Sequence, residues 1–184
     1  MYDALVLAGG TGRRLGGADK PGLVVGGRTL LDRVLAACEG AARTVVVGPE
    51  RPSYRPVLWT REEPVGGGPV AALAAGLELV TSDTVVLLAA DLPFLDHELV
   101  DLLGDNPGSV TVTDGRPQWL CGGWSAAVLR EALEDVAVDG ARLRDVLGPL
   151  DPDLVTDEQP RGAAPETWFD VDTPEDLARV RSWA

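Results

Sequence analysis

Lys20 is the only lysine among 16 basic residues, and it closes a glycine-rich run, Gly9-Gly10-Thr11-Gly12-Arg13-Arg14-Leu15-Gly16-Gly17-Ala18-Asp19-Lys20. Glycine has no Cβ, so such a backbone can take positive φ and bring several N–H groups onto phosphate oxygens at close range. Arg13 and Lys20 add mobile positive charge, and the combination suits a polyphosphate. Two familiar phosphate loops are excluded by spacing. The Walker loop needs Gly-Lys-Ser/Thr, whereas Lys20 lies between Asp19 and Pro21, and the dinucleotide fingerprint needs a third glycine where Leu15 stands. The alternative is an exposed flexible connection, against which the position after an apolar strand and the basic partners weigh.

Carboxylates supply the other half of that chemistry. Asp91 follows the apolar run of residues 85–90 and precedes Leu92-Pro93-Phe94, where Pro93 removes a backbone donor and holds Leu92 extended. A carboxylate at the end of a buried strand, near a polyphosphate loop, suits Mg²⁺, which takes one or two carboxylates plus phosphate oxygens. A simple turn cap is the alternative for Asp91. In Asp170-Val171-Asp172, strand alternation aims both carboxylates to one side, so Asp172 is a candidate second metal ligand beside Asp91. Asp172 reads equally as preparation for a helix cap at Thr173.

These residues need a scaffold. Residues 4–8, 44–47 and 85–90 are short continuous apolar runs rich in branched side chains, the pattern of parallel strands buried on both faces. Leu30, Leu31, Val34, Leu35 and Cys38 share one helical face, residues 70–80 predict a second helix introduced by Pro69, and Leu99 to Leu103 predict a third with Asp96 as N-cap. A fourth helix is expected over residues 126–136, and Thr173-Pro174-Glu175-Asp176 caps a final one. The fold class is therefore α/β, a three-layer arrangement of a mostly parallel sheet with helices on both faces. Ligands are expected beyond the carboxyl ends of its strands, in the loops after Ala8 and Ala90. The acidic, proline-containing residues 151–165 read as a surface excursion.

Composition narrows the function classes. The chain has 184 residues, the length of one ordinary domain, and no repeat or linker divides it, so residues 1–184 are expected to form a single domain. A hydrophobic share of 45% with 24% charged residues excludes global disorder. A net charge of −13 makes nucleic acid a poor partner. The longest uncharged runs, residues 64–77 and 117–129, are too short and too rich in Gly or Pro to span a bilayer. No basic, apolar leader precedes the run at Ala4, so a cytoplasmic address is expected. Cys38, Cys121 and the sole histidine, His97, fit no zinc spacing, and the cysteines read as core filler.

Taken together, Leu7-Ala8-Gly9-Gly10, Arg13, Gly16-Gly17-Ala18-Asp19-Lys20, Gly68-Pro69, Asp91-Leu92-Pro93-Phe94-Leu95 and Thr173-Pro174-Glu175-Asp176-Leu177 resemble the molybdenum cofactor guanylyltransferases, within the nucleotide-diphospho-sugar transferase type of Rossmann-like fold. The resemblance is tight over the first forty residues and around Asp91, and weak over residues 103–166. It implies that Leu7, Ala8, Gly9, Gly10, Lys20, Glu62 and Asp91 bind GTP, that Arg13 lies near the phosphates, and that Asp91 binds Mg²⁺. The second substrate it implies is the phosphate end of molybdenum-bearing molybdopterin. The product would pass to a molybdoenzyme or a cofactor-delivery protein. Guanylyl members typically carry Leu-Ala-Gly-Gly where cytidylyl relatives carry Leu-Ala-Ala-Gly, so Gly9 points to GTP. This chain departs from the family pattern at Glu62, where Asp is usual, at Asp170 and Asp172, where Asn is usual, and at Gly48, where some members have Asn.

The expected reaction is Mg²⁺-dependent nucleotidyl transfer, with Lys20, Arg13 and Asp91 as catalytic residues. An ionised phosphate oxygen attacks the α-phosphorus in line and pyrophosphate leaves, so the protein need only position two anions and offset their charge. This accounts for an enzyme with one histidine and no evident nucleophilic triad. Cytidylyl transfer to molybdopterin, or transfer to another small phosphate, is the nearest alternative; a non-catalytic nucleotide-binding or delivery protein is the alternative of another class. Gln118-Trp119-Leu120, after a turn at Asp114-Gly115, are candidates to line the acceptor pocket, while Trp119 and Trp124 read equally as core or subunit-contact residues.

Overall fold

A computed structural model describes residues 1–10, 19–113, 115–156 and 169–183. Its centre is strand β1 (Tyr2–Leu7), every residue of which is buried. It pairs in parallel with β4 (Arg43–Val47) on one side and β6 (Thr84–Ala89) on the other, Leu5 lying level with Val45 and Leu87. Side chains alternate across these strands, and the core divides accordingly. Ala4, Val6, Val46, Val86 and Leu88 pack on one face, Leu5, Leu7, Val45, Val47, Val85 and Leu87 on the other. With apolar cover on both sides no position needs to be polar, which is why the strands read as unbroken apolar runs.

The first face is covered by α1 (Leu30–Ala37) and α3 (His97–Asp105), through Leu31, Val34, Leu35, Leu99, Val100 and Leu103. The second is covered by α2 (Pro69–Leu77), α4 (Ala126–Leu133) and α5 (Leu143–Leu147). Local sequence sets the starts of these helices. Asp96 accepts a 2.8 Å hydrogen bond from Leu99 N, and Pro69 occupies the first turn of α2, where a missing N–H costs nothing. Asp3, a fully buried carboxylate in β1, accepts bonds from the Thr81 and Ser82 amides and the Ser82 hydroxyl at 2.8, 3.1 and 2.9 Å. These tie the loop before β6 to the central strand.

With β5 (Leu58–Thr60), β7 (Ser109–Thr113), β8 (Arg116–Ser125) and β9 (Asp153–Val155), the main sheet has the order β5-β4-β1-β6-β8-β7-β9. Its pairings are parallel except β6–β8 and β7–β8, so the sheet is mostly parallel, as expected. A small hairpin of β2 (Val24–Val25) and β3 (Arg28–Thr29) stands apart. Two expectations change. Residues 153–155 extend the sheet as β9 instead of joining a surface excursion, because their backbone pairs with Ser109–Thr111. The helices expected over 70–80 and 126–136 end earlier, at Leu77 and Leu133. Gly115, at φ +71°, lies at the β7–β8 turn; Asp114 and residues 157–168 lie outside the described residues. Both cysteines are fully buried in one cluster, as core filler should be, and burial pushes each thiol up to about 12. Among the described residues no helix is long and apolar enough to cross a membrane.

Candidate active site

β1, β4 and β6 end together at one edge of the sheet, and the loops that leave them bring Gly9, Gly48 and Asp91 together. Gly48 makes this convergence possible: it has φ +147°, and a Cβ there would lie 2.8 Å from the Ala8 carbonyl carbon and oxygen. Ala8 is buried, and its amide donates to Val47 O at 2.8 Å, so its part in this edge is played by its backbone.

A cavity of about 490 Å³ opens at this edge, and Leu7, Gly9, Gly10, Lys20, Glu62 and Asp91 all line it. Gly10 has φ +134°. Gly9 adopts ordinary backbone geometry, and a Cβ on it would point toward Glu62, 3.8 and 3.9 Å from the carboxylate oxygens. Glu62 Oε1 accepts from Gly66 N at 3.1 Å, while Oε2 is buried with no partner among the described residues. Arg13 lies outside the described residues.

A second cavity, of about 620 Å³, lies alongside. Its walls include Gln118, Trp119, Leu120, Arg142, Arg144, Asp170 and Asp172. Gln118, Trp119 and Leu120 thus line a pocket, whereas Trp124 is 2% exposed and belongs to the core. The two cavities share Gly68, Pro69, Ala89, Asp91 and Leu120. The amino end of α2, with its unsatisfied N–H groups and positive dipole end, therefore borders both.

At this shared wall the Lys20 ammonium bridges two carboxylates, pairing with Asp91 Oδ2 and, at 2.7 Å, with Asp172 Oδ1. Burial works against the charge on Lys20, but Asp91 and Asp172 outweigh it and raise the pKa. Asp91 Oδ1 is buried and has no partner among the described residues. Partial desolvation, then the negative charges of Asp172 and Asp91, raise the pKa of Asp170, although much of that residue faces solvent. Lys20 is thus one cation set among three carboxylates. Asp170 and Asp172 face one cavity as alternation predicts, with Val171 fully buried between them. The segment is tied to the turn after β6 by Val171 N donating to Asp91 O at 3.3 Å, and is not itself a strand. Just beyond it α6 (Pro174–Trp183) begins with reciprocal capping: Thr173 Oγ1 accepts from Asp176 N at 3.1 Å, and Asp176 Oδ2 accepts from Thr173 N at 2.8 Å.

Sequence reasoning missed four arginines. Arg61 lines the first cavity and Arg142 and Arg144 the second, while Arg51 lines neither and has its guanidinium 3.1 Å from Asp19 Oδ1. The signal that could have found Arg142 and Arg144 is their spacing of two beside the Gly140 turn, which is held to the start of α2 by Gly140 N donating to Gly67 O at 2.8 Å. Nothing local marks Arg51 or Arg61.

Residues 4–156 match the model of the MobA-like NTP transferase domain. A molybdenum cofactor guanylyltransferase of Mesorhizobium japonicum is 34% identical over 194 aligned residues, covering 96% of this chain and 92% of its own. One from Acidiphilium cryptum is 36% identical over 140 residues, 71% of this chain and 70% of its own. The crystal structure of molybdopterin-guanine dinucleotide biosynthesis protein A from Archaeoglobus fulgidus superposes with a TM-score of 0.79 at 23% identity, over 98% of this chain and 97% of that one, a likeness of fold.

Proposed function

The chain belongs to the MobA-like NTP transferase family and is a nucleotidyltransferase, and on that premise we propose that it transfers GMP from GTP to the phosphate of molybdenum-bearing molybdopterin. The observation that carries this reading is the pair of cavities sharing one wall at Asp91. The cavity lined by Gly9, Gly10 and Lys20 takes the nucleotide, and the cavity lined by Trp119, Arg142 and Arg144 takes the acceptor. Residues 1–184 act as one domain in the cytoplasm, and the product leaves for a molybdoenzyme or delivery protein.

The chemistry follows from the charges. An oxygen of the acceptor phosphate forms the new bond to the α-phosphorus while the bond to the β-phosphate oxygen breaks, and pyrophosphate takes the electron pair. Both reactants are anions, so the residues at the shared wall have to orient them and offset their repulsion. Lys20 does so as a point charge, Arg13 joins it on the triphosphate, and the backbone of Leu7 to Gly10 forms the cradle. Arg142 and Arg144 offer planar forks to the acceptor phosphate.

The donor set fits Mg²⁺. Asp91 Oδ1 is a buried carboxylate oxygen with no partner among the described residues, and Asp172 is beside it across Lys20. Two carboxylates with phosphate oxygens completing the shell is the arrangement that cation favours. Bound there, Mg²⁺ supplies Lewis-acid neutralisation of the phosphates and the departing pyrophosphate.

Guanine is favoured at the base position by two features. Gly9 leaves open the space in front of Glu62, and Glu62 Oε2, without a partner among the described residues, calls for a donor such as guanine N1–H or N2–H, since an unmade buried hydrogen bond costs about 1–3 kcal/mol. The test is pyrophosphate release from GTP, CTP and ATP, each with molybdenum-bearing molybdopterin and with a simple sugar phosphate. Release confined to GTP and molybdopterin is expected. Release with CTP alone, or with the sugar phosphate alone, would overturn the substrate assignment, and GTP binding without release would favour a delivery protein.

A further inference from the structure

We propose that Arg51 is a positioning residue for Lys20: it holds the turn that carries Lys20 against the end of β1 without itself touching nucleotide. That Lys20 must be placed for phosphate rests on the reading above; how it is placed does not. The Arg51 side chain is 12% exposed and lines neither cavity. One terminal guanidinium nitrogen is 3.1 Å from Asp19 Oδ1, and the other terminal nitrogen donates a long bond, 3.5 Å, to Ala8 O. Arg51 thereby joins the last residue before the glycine-rich run to the residue immediately before Lys20.

The Asp19 carboxylate is seated on both sides. Its Oδ2 lies only 2.5 Å from where a Cβ on Gly22 would stand, so the absence of a side chain at Gly22 admits it. Asp19 O accepts from Gly22 N at 3.0 Å and Lys20 O from Leu23 N at 3.1 Å, closing a 3-10 turn over Lys20–Gly22 with Pro21 buried beneath. The turn is thus rigid in itself, and Arg51 supplies its ionic link to the loop after β4. With that link in place the four methylenes of Lys20 carry its ammonium to Asp91 and Asp172. Without it the turn can shift while keeping its internal bonds, and Lys20 leaves the carboxylates.

Because Lys20 is the only lysine, protein labelled with ¹³C at lysine Cε gives one such resonance, which reports its position with no ligand present. Arg51→Ala is expected to move that resonance toward the position it takes in Asp91→Ala/Asp172→Ala, where the ammonium has lost its partners. Asp19→Ala should give the same shift, and Arg51→Ala/Asp19→Ala no larger one. Affinity for GTP should fall about tenfold in Arg51→Ala, the scale of one charge-assisted bond, and should not fall further when Arg51→Ala is added to Lys20→Ala. A Lys20 resonance unmoved by Arg51→Ala overturns the proposal, as does an additive loss of affinity in the double variant, which would mean that Arg51 meets the nucleotide directly. Should Arg51→Ala fail to fold, Asp19→Ala decides, since that carboxylate is 61% exposed and its removal leaves the core untouched. A wild-type resonance that no nucleotide shifts would contradict the nucleotide reading and leave the role of Arg51 standing.

Discussion

Lys20 carries its charge to the point where two anionic substrates are expected to meet, and its ammonium is held there by Asp91 and Asp172. Replacing it with alanine removes the charge and strands two carboxylates together. We predict that Lys20→Ala weakens GTP binding by about 10–100-fold, from a charge-assisted bond of about 1.5–3 kcal/mol, measured by calorimetry. Lys20→Arg should not restore it, because a planar fork cannot occupy the site of a compact ammonium. Gly9 offers a separate test. A Cβ there meets nothing closer than 3.8 Å and needs no unusual φ, so Gly9→Ala should fold normally. It should lower the ratio of GTP to CTP turnover; an unchanged ratio would show that the space before Glu62 does not select the base. Asp91 and Lys20 were legible in the sequence because each breaks a local pattern, a carboxylate ending an apolar run and a lone lysine among arginines. Arg51 was not, since its partner Asp19 lies 32 positions away and only the folded chain brings them together.

Among the elements, α6 and the segment before it hold Asp172 in place, and the reciprocal hydrogen bonds of Thr173 and Asp176 fix where the helix begins. Asp176 also accepts from the Thr173 hydroxyl at 2.8 Å and from Asp172 N at 3.1 Å. Asp176→Ala should therefore cost about 1 kcal/mol of stability in chemical denaturation, and should also reduce turnover, because the backbone of Asp172 loses a partner. Unchanged turnover would separate the cap from the site. Thr173-Pro174 announced this helix start, and the apolar runs announced β1, β4 and β6. β8 and β9 gave no such notice. Gly122 and Gly123 interrupt the first, where a Cβ on Gly123 would fall 1.9 Å from Leu103 O, and the second has only three residues at an edge. Their pairing is decided by tertiary contact, and the second cavity, walled partly by β8, was legible only as far as Gln118-Trp119-Leu120.

For the whole molecule, the two-faced core keeps the sheet rigid and its carboxyl edge in register. Cys38 and Cys121 probe that rigidity from inside. Burial raises both thiols to about 12, so at pH 8 neither supplies appreciable thiolate, and reaction with a thiol reagent should require unfolding. We expect no labelling in the native protein over hours and two thiols per chain in denaturant; rapid native labelling would contradict the packing. The same rigidity presents Asp91 to both cavities at once, and the claim that nucleotidyl transfer occurs at this shared wall is open to one direct measurement. GTP labelled at the α-phosphate is incubated with molybdenum-bearing molybdopterin, and label in the dinucleotide product is counted for wild type and for Asp91→Asn. Wild type should transfer label, while Asp91→Asn, still binding GTP, should lose about 100-fold or more, the scale of removing one preorganised charge from a reacting centre. Undiminished transfer by Asp91→Asn would contradict the account.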